Sequence, residues 1–229
     1  MTQRAAEETF PVFPVFLVVD VSGSMAGAPI DAVNGALPQI KEVVEKEPMV
    51  GEIARIGLIT FADGARCDMP LSDLAYVDVP TLRTGNLTNF SAAFRLAKTE
   101  IEDGIRGLGK GVKFHKPVVF FVSDGEHTVE SDADWQTPLR ALTDDSSNYA
   151  AEVVVFGFGS ANRDTLGEIA TRYCFFSTDH DAAASVKEII RTLISSLRTT
   201  SGMMMRGANK FAIEPDPDKF MTLPVRSND

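Results

Sequence analysis

The sequence predicts an α/β fold: a doubly wound, mostly parallel six-stranded sheet with one antiparallel edge strand and helices on both faces. Three observations carry this. Short apolar runs rich in β-branched and aromatic residues recur along the chain. Segments with apolar residues at helical spacing alternate with them. Most of the runs are apolar throughout rather than at every second position, as in strands covered on both faces.

The first run, at 12–22, ends in polar and glycine residues. A helix over 29–47 follows, with Ile30, Val33, Leu37, Ile40, Val43 and Val44 on one side. The run ARIGLITFAD is a second strand. Asp63-Gly64 turns it into ARCDMPLSDL, the antiparallel partner. Residues 90–105 form an amphipathic helix through Ala93, Phe94, Leu96, Ala97 and Ile101. The glycine- and lysine-rich stretch 104–116 reads as a loop. PVVFFVSDG and AEVVVFGFG are two more buried strands, separated by a short helix over 135–145. A helix over 164–171, the strand YCFFST and a helix over 182–198 complete the pattern. Residues 1–11 are an N-terminal extension and 12–198 the domain. From 199 to 229 the periodicity weakens into a tail or a packed extension, in which Met203 to Met205 are either core filler or a contact patch.

Composition narrows the function. The 229 residues hold 22 Lys plus Arg against 32 Asp plus Glu, a net charge of −10, which disfavours a general phosphate-backbone binder. Nucleic acid is therefore not an expected partner. The two cysteines, Cys67 and Cys174, form no CxxC pair, so zinc-ribbon and thioredoxin chemistry are unsupported. The start MTQRAAEETF has no apolar signal region, and no apolar run reaches the ~18 residues of a membrane span. A soluble, cytoplasmic protein without a membrane partner is the expectation.

Chemistry concentrates at strand ends. Asp20-Val21-Ser22-Gly23-Ser24 follows the first strand, where open α/β sheets bind ligands. One carboxylate and two hydroxyls, spaced by two on a turn, can face one small volume. They are hard oxygen donors, suited to Mg²⁺, Mn²⁺ or Ca²⁺. Alone, the same serines read equally well as helix N-caps. Val122-Ser123-Asp124-Gly125 ends a later strand in the same way, which brings Asp124 out on the same edge. Between them the polar loop Thr84-Gly85-Asn86-Leu87-Thr88-Asn89 opens a helix. Thr88 by itself reads as that helix's cap.

Together, Asp20, Ser22, Ser24, Thr88 and Asp124 resemble the metal-ion-dependent adhesion site (MIDAS) of von Willebrand factor A (vWA) domains: DxSxS, then a loop threonine, then an aspartate after a later strand. The resemblance spans about 12–197 and implies a Rossmann-like vWA fold. It implies that Ser22, Ser24 and Thr88 offer hydroxyl oxygens to the metal, Mg²⁺ or else Mn²⁺ or Ca²⁺. Asp20 and Asp124 then bind it directly or through water, and one position is left for an acidic residue of a protein partner. Within the family, VFLVVDVSGSMAGAPIDAVN, LITFAD and SDGEHT followed by Asp134-Trp135-Gln136 look like the bacterial tellurite-resistance-associated, TerY-like group. That likeness implies a non-enzymatic binding module in a cytoplasmic stress-response or signalling assembly, with a kinase or phosphatase as candidate partner.

The alternative is a metal-dependent hydrolase or phosphatase using the same site. It requires a general base, for which His127, Asp124 and Glu126 are the candidates. Other signals are weaker. GIRGLGKG lacks the Ser or Thr after Lys110 and precedes a strand, unlike a phosphate loop. Glu130, Asp132 and Asp134 lack the glycine and terminal Glu of an EF-hand and read as a solvated acidic loop. His115 and His180 read as ordinary loop residues. Trp135, the sole tryptophan, is either a core anchor or an exposed contact.

Overall fold

The computed structural model describes residues 10–208 and 210–225. The strands are β1 (Phe13–Asp20), β2 (Ala54–Phe61), β3 (Ala65–Ser72), β4 (Val118–Ser123), β5 (Glu152–Gly157), β6 (Tyr173–Ser177) and β7 (Phe220–Leu223). The helices are α1 (Ala28–Lys46), α2 (Pro48–Ile53), α3 (Phe90–Gly107), α4 (Gln136–Thr143), α5 (Arg163–Ile169) and α6 (Ala182–Met204). The sheet runs β3-β2-β1-β4-β5-β6-β7. Five strands are parallel, β3 is antiparallel to β2, and β7 is antiparallel to β6. The doubly wound α/β architecture is as the sequence predicts.

The count differs: seven strands instead of six, and antiparallel strands at both edges instead of one. The extra strand, FMTL, is four residues long with its two middle positions exposed, too short to produce a periodic signal. It arises because the chain after α6 packs back on the domain. Helix α6 itself runs six residues past the expected Arg198, through TTSGMM. Threonine, serine and glycine are poor helix formers, so propensity stops where packing continues. Ser196 Oγ and Thr200 Oγ1 both donate to the Ala212 carbonyl, at 2.6 and 3.1 Å, and Thr200 Oγ1 accepts from Ala212 N–H. Those bonds hold Phe211 and Ile213 in the core, where the Phe211 ring lies 6.1 Å from Phe13 and 5.7 Å from Phe120.

Strand alternation divides the core into two layers. Phe13, Val15, Leu17, Val19, Phe120 and Phe156 face α1, α2 and α6. Phe16, Val18, Ile59, Phe61, Phe121 and Val155 face α3, α4 and α5. In the second layer Phe61, Phe90, Phe94 and Phe121 form a ring cluster with centroids 5.1–6.4 Å apart, and Trp135 closes it from above α4. Trp135 is thus a core anchor, 7% exposed. Of the methionines, Met204 is core, while Met203 and Met205 are half-buried. Among the described residues no helix is long and apolar enough to cross a membrane.

The winding places the site. From β1 the chain steps to β2 on one side, whereas β4 continues to β5 on the other. β1 and β4 are parallel neighbours, with Val19 beside Val122. Their carboxyl ends, carrying Asp20 and Ser123-Asp124, therefore emerge side by side at the switch point of the sheet.

Candidate metal centre

All five residues singled out from the sequence converge at this point. Asp20 ends β1 and is fully buried. Its Oδ1 accepts from the Ser22 N–H at 2.8 Å and its Oδ2 from the Ser123 hydroxyl at 2.6 Å. Ser22 Oγ lies 3.1 Å from Ser24 Oγ, and the Ser24 hydroxyl donates to Asp124 Oδ1 at 2.7 Å. One hydrogen-bonded chain thus links Ser123, Asp20, Ser22, Ser24 and Asp124. Asp20, Ser22 and Asp124 are buried while Ser24 is exposed, so the cluster opens to solvent on the Ser24 side. Thr88 comes in from the third loop. A Cβ placed on Gly125 would stand 3.5 Å from Thr88 Oγ1 and 3.8 Å from Asp20 Oδ2. Both oxygens therefore face the same backbone opening.

The capping alternatives are resolved by geometry. The α3 cap is Asn89, whose Oδ1 accepts from Ala92 N–H at 2.9 Å, so the Thr88 hydroxyl is not used there. Neither Ser22 nor Ser24 accepts from a helix N-terminus: α1 starts after Gly27, and the short 3₁₀ turn Gly23–Met25 has no side-chain cap bond.

Backbone bonds fix the three loops to one another. Gly85 N–H donates to the Val21 carbonyl at 2.7 Å and Gly23 N–H to Asn86 at 3.0 Å. Thr88 and Thr128 exchange two bonds of 2.9 Å, through the Thr128 hydroxyl in one direction and the Thr88 carbonyl in the other. Asp63 holds the loop from outside, accepting from Asn86 N–H at 3.0 Å. Gly85 is required by space, because a Cβ there would stand 2.5 Å from the Ala62 methyl.

The electrostatics call for a cation. Burial raises the Asp20 pKa to about 6, against the lowering effect of its bonds from Ser123 and Ser22, with Asp124 adding to the rise. Asp124 is also raised by burial, against its bond from Ser24. None of the groups acting on either carboxylate is cationic. Two carboxylates buried side by side without a positive partner favour a bound divalent ion. Among the described residues no three His, Cys, Asp or Glu side chains come together as a metal site. A metal here would be held instead by carboxylates and hydroxyls together, a donor set that suits a hard ion.

The candidate bases of the hydrolase alternative fare differently. His127 Nδ1 accepts from Phe90 N–H at 3.1 Å, which puts the proton on Nε2, 3.1 Å from the Val129 carbonyl. Both nitrogens are engaged in holding loops, so the ring is committed to structure. Glu126 is exposed, and Asp124 belongs to the proposed ligand set. Asp132 pairs with Arg95, and its carbonyl accepts from Ser91 Oγ; this acidic loop braces α3.

Sequence reasoning missed Ser123, the buried hydroxyl that completes the Asp20 carboxylate. Its signal was a lone polar residue at the last position of an otherwise apolar strand. Thr128, which clasps the threonine loop, had no such signal.

Comparison with known proteins settles the family. The von Willebrand factor type A domain matches residues 15–198. The chain belongs to this family. A structure of proximal thread matrix protein 1 from the mussel byssus, described as having a zinc-occupied MIDAS motif, superposes with a TM-score of 0.61 at 19% identity, covering 84% of this chain and 49% of that one. A von Willebrand factor type A protein from Catenulispora acidiphila gives 0.59 at 14% identity, covering 82% and 43%. The vWA2 paralog of ArnB from Sulfolobus acidocaldarius gives 0.52 at 12%, covering 80% and 46%. At these identities the likeness is one of fold. The vWA chain spans about half the length of these structures. No curated protein sequence matches it.

Proposed function

We propose that this vWA domain is a metal-ion-dependent protein-binding module, with Asp20, Ser22, Ser24, Thr88 and Asp124 holding one divalent ion. The observation that carries this is the unbroken hydrogen-bonded chain from Ser123 through Asp20, Ser22 and Ser24 to Asp124, open to solvent only at its Ser24 end. The ion supplies a positive charge that neutral hydroxyls leave largely uncompensated, and an Asp or Glu of a partner neutralises it. The chain's own residues hold the hydroxyls in place, exclude water from the Asp20 side and leave Ser24 exposed. Mg²⁺ is the ion we assign, with Mn²⁺ and Ca²⁺ compatible with the same donors.

Binding is favoured over hydrolysis because the histidine next to the site uses both nitrogens on backbone groups. The likeness of the site-bearing segments to the TerY-like group supports a cytoplasmic stress-response or signalling assembly, with a kinase or phosphatase as the partner. The test is capture of partners by tagged protein in Mg²⁺, in EDTA and with Asp20→Asn in Mg²⁺. The proposal expects a protein retained by the wild type in Mg²⁺ alone. Equal retention in all three conditions by a folded variant contradicts it.

A further inference from the structure

At the opposite end of the sheet lies a second surface of different chemistry. β1 is eight residues long, so its start and Asp20 are about 23 Å apart at ~3.3 Å per residue. Around its start, Phe10, Pro11, Lys113, Phe114, Met204 and Met205 line a cleft of about 640 Å³. Its frame is fixed: Val12 N–H donates to Lys113 and His115 N–H donates to Val12, both at 2.8 Å. The end of α6 supplies Met204 and Met205 to its lining, and Gly207 just beyond takes φ +85°.

Charge distinguishes two segments at this end, 104–116 and 199–213, from the rest of a strongly acidic chain. No ion pair among the described residues involves Lys110, Lys113, Arg206 or Lys210, and all four are exposed. Neither 104–116 nor 199–213 contains an Asp or Glu. The C-terminus of α6 favours Arg206 beside its cap, but a helix end does not account for Lys113. A helix C-terminus attracts positive charge only within its last turn, and Lys113 lies six residues beyond the end of α3. Methionine walls adapt to differently shaped side chains, while the pinned backbone keeps the cleft open.

We propose that this cleft docks an acidic segment of a protein partner, with one large apolar side chain seated among Phe10, Phe114, Met204 and Met205. Carboxylates flanking that anchor meet Lys110, Lys113, Arg206 and Lys210. A protein segment fits better than a lipid surface because the apolar groups line a concavity. Met204 is buried, and Val112 is the exposed apolar side chain of this loop, at 42%. The site uses none of the metal-binding residues, so the domain can join two partners through opposite ends.

The test is selection of a random-peptide display library on the full chain in EDTA, which removes any metal-mediated contact with acidic peptides. The proposal expects enriched peptides to carry a Leu, Phe or Met next to two or more Asp or Glu. Their affinity should fall about tenfold, equivalent to ~1.4 kcal/mol, in Lys110→Glu/Lys113→Glu, whose positions are exposed loop sites. It should be unchanged in Asp20→Asn. No such consensus, or equal affinity for the charge-reversed chain, overturns the proposal. So does binding to mixed phosphatidylcholine–phosphatidylserine vesicles that the same double variant abolishes while peptide binding is absent.

Discussion

The two ends of the sheet are built from the same strands and differ in almost every other respect. At the carboxyl end, buried polar groups satisfy one another across three loops, and two carboxylates share a small volume without a cation. At the amino end, aromatic and methionine side chains and Lys113 line an open cleft. The difference follows from chain direction. In a parallel sheet every strand delivers its last residue, and the loop after it, to the same edge. Polar residues at those positions meet without any change to the core. The amino end receives the ends of helices and the returning C-terminal segment, which close the core with apolar groups. One end is therefore specified by hydrogen bonds, the other by packing.

The largest test of this contrast is Phe211→Ala. The ring is 8% exposed and wedged between Phe13 and Phe120. Its removal should cost ~3–5 kcal/mol in denaturant unfolding, with metal binding retained by the molecules that remain folded. A loss below ~1 kcal/mol would mean that the segment after α6 is not part of the core.

The carboxyl end should respond to pH through Asp20 and Asp124. A carboxyl whose folded pKa stands above its unfolded value makes the folded state bind more protons. Its favourable contribution is complete below the unfolded pKa and disappears as pH rises through the folded one. For Asp20, raised from 3.8 to about 6, this amounts to about 3 kcal/mol between those limits at ~1.36 kcal/mol per pH unit; Asp124 adds in the same direction. In EDTA, Asp20→Asn should abolish the Asp20 part of this slope. Urea unfolding at several pH values compares the two chains, and parallel curves would contradict the assignment.

Metal addition reverses the same penalty. At about 100 times its Kd, a bound ion stabilises by ~2.7 kcal/mol, a rise of ~5–10 °C in Tm for a domain of this size. Asp20→Asn should show no such rise. The smallest effect is expected for Ser24→Ala. This hydroxyl is exposed and donates one bond to Asp124, so metal affinity should drop about tenfold with Tm in EDTA changed by no more than a few degrees. Equal metal affinity would remove Ser24 from the ligand set.

The sequence made these two ends unequally legible. The DxSxS turn, Thr88 and Asp124 could be read because each follows or precedes a strongly periodic element, and the strand order then brings them together. The cap at Asn89 was shifted by one residue from the threonine reading. Neighbouring polar residues at a helix start are indistinguishable until backbone geometry selects one. β7 and the last turn of α6 were illegible for a different reason. TTSGMM is rich in poor helix formers and FMTL is too short to show a period, and their structure comes from bonds to Ala212 and β6 that only the folded chain provides. The amino-end cleft was invisible for the same reason: Phe10, Phe114 and Met204 are far apart in sequence.

The central claim is that the two buried carboxylates and three hydroxyls hold one divalent ion. Calorimetric titration of Mn²⁺ and Mg²⁺ into the wild type and into Asp20→Asn tests it most directly. The account predicts one site per chain in the wild type and none in a variant whose circular dichroism shows it folded. Equal binding by both chains, or none by either, would contradict it.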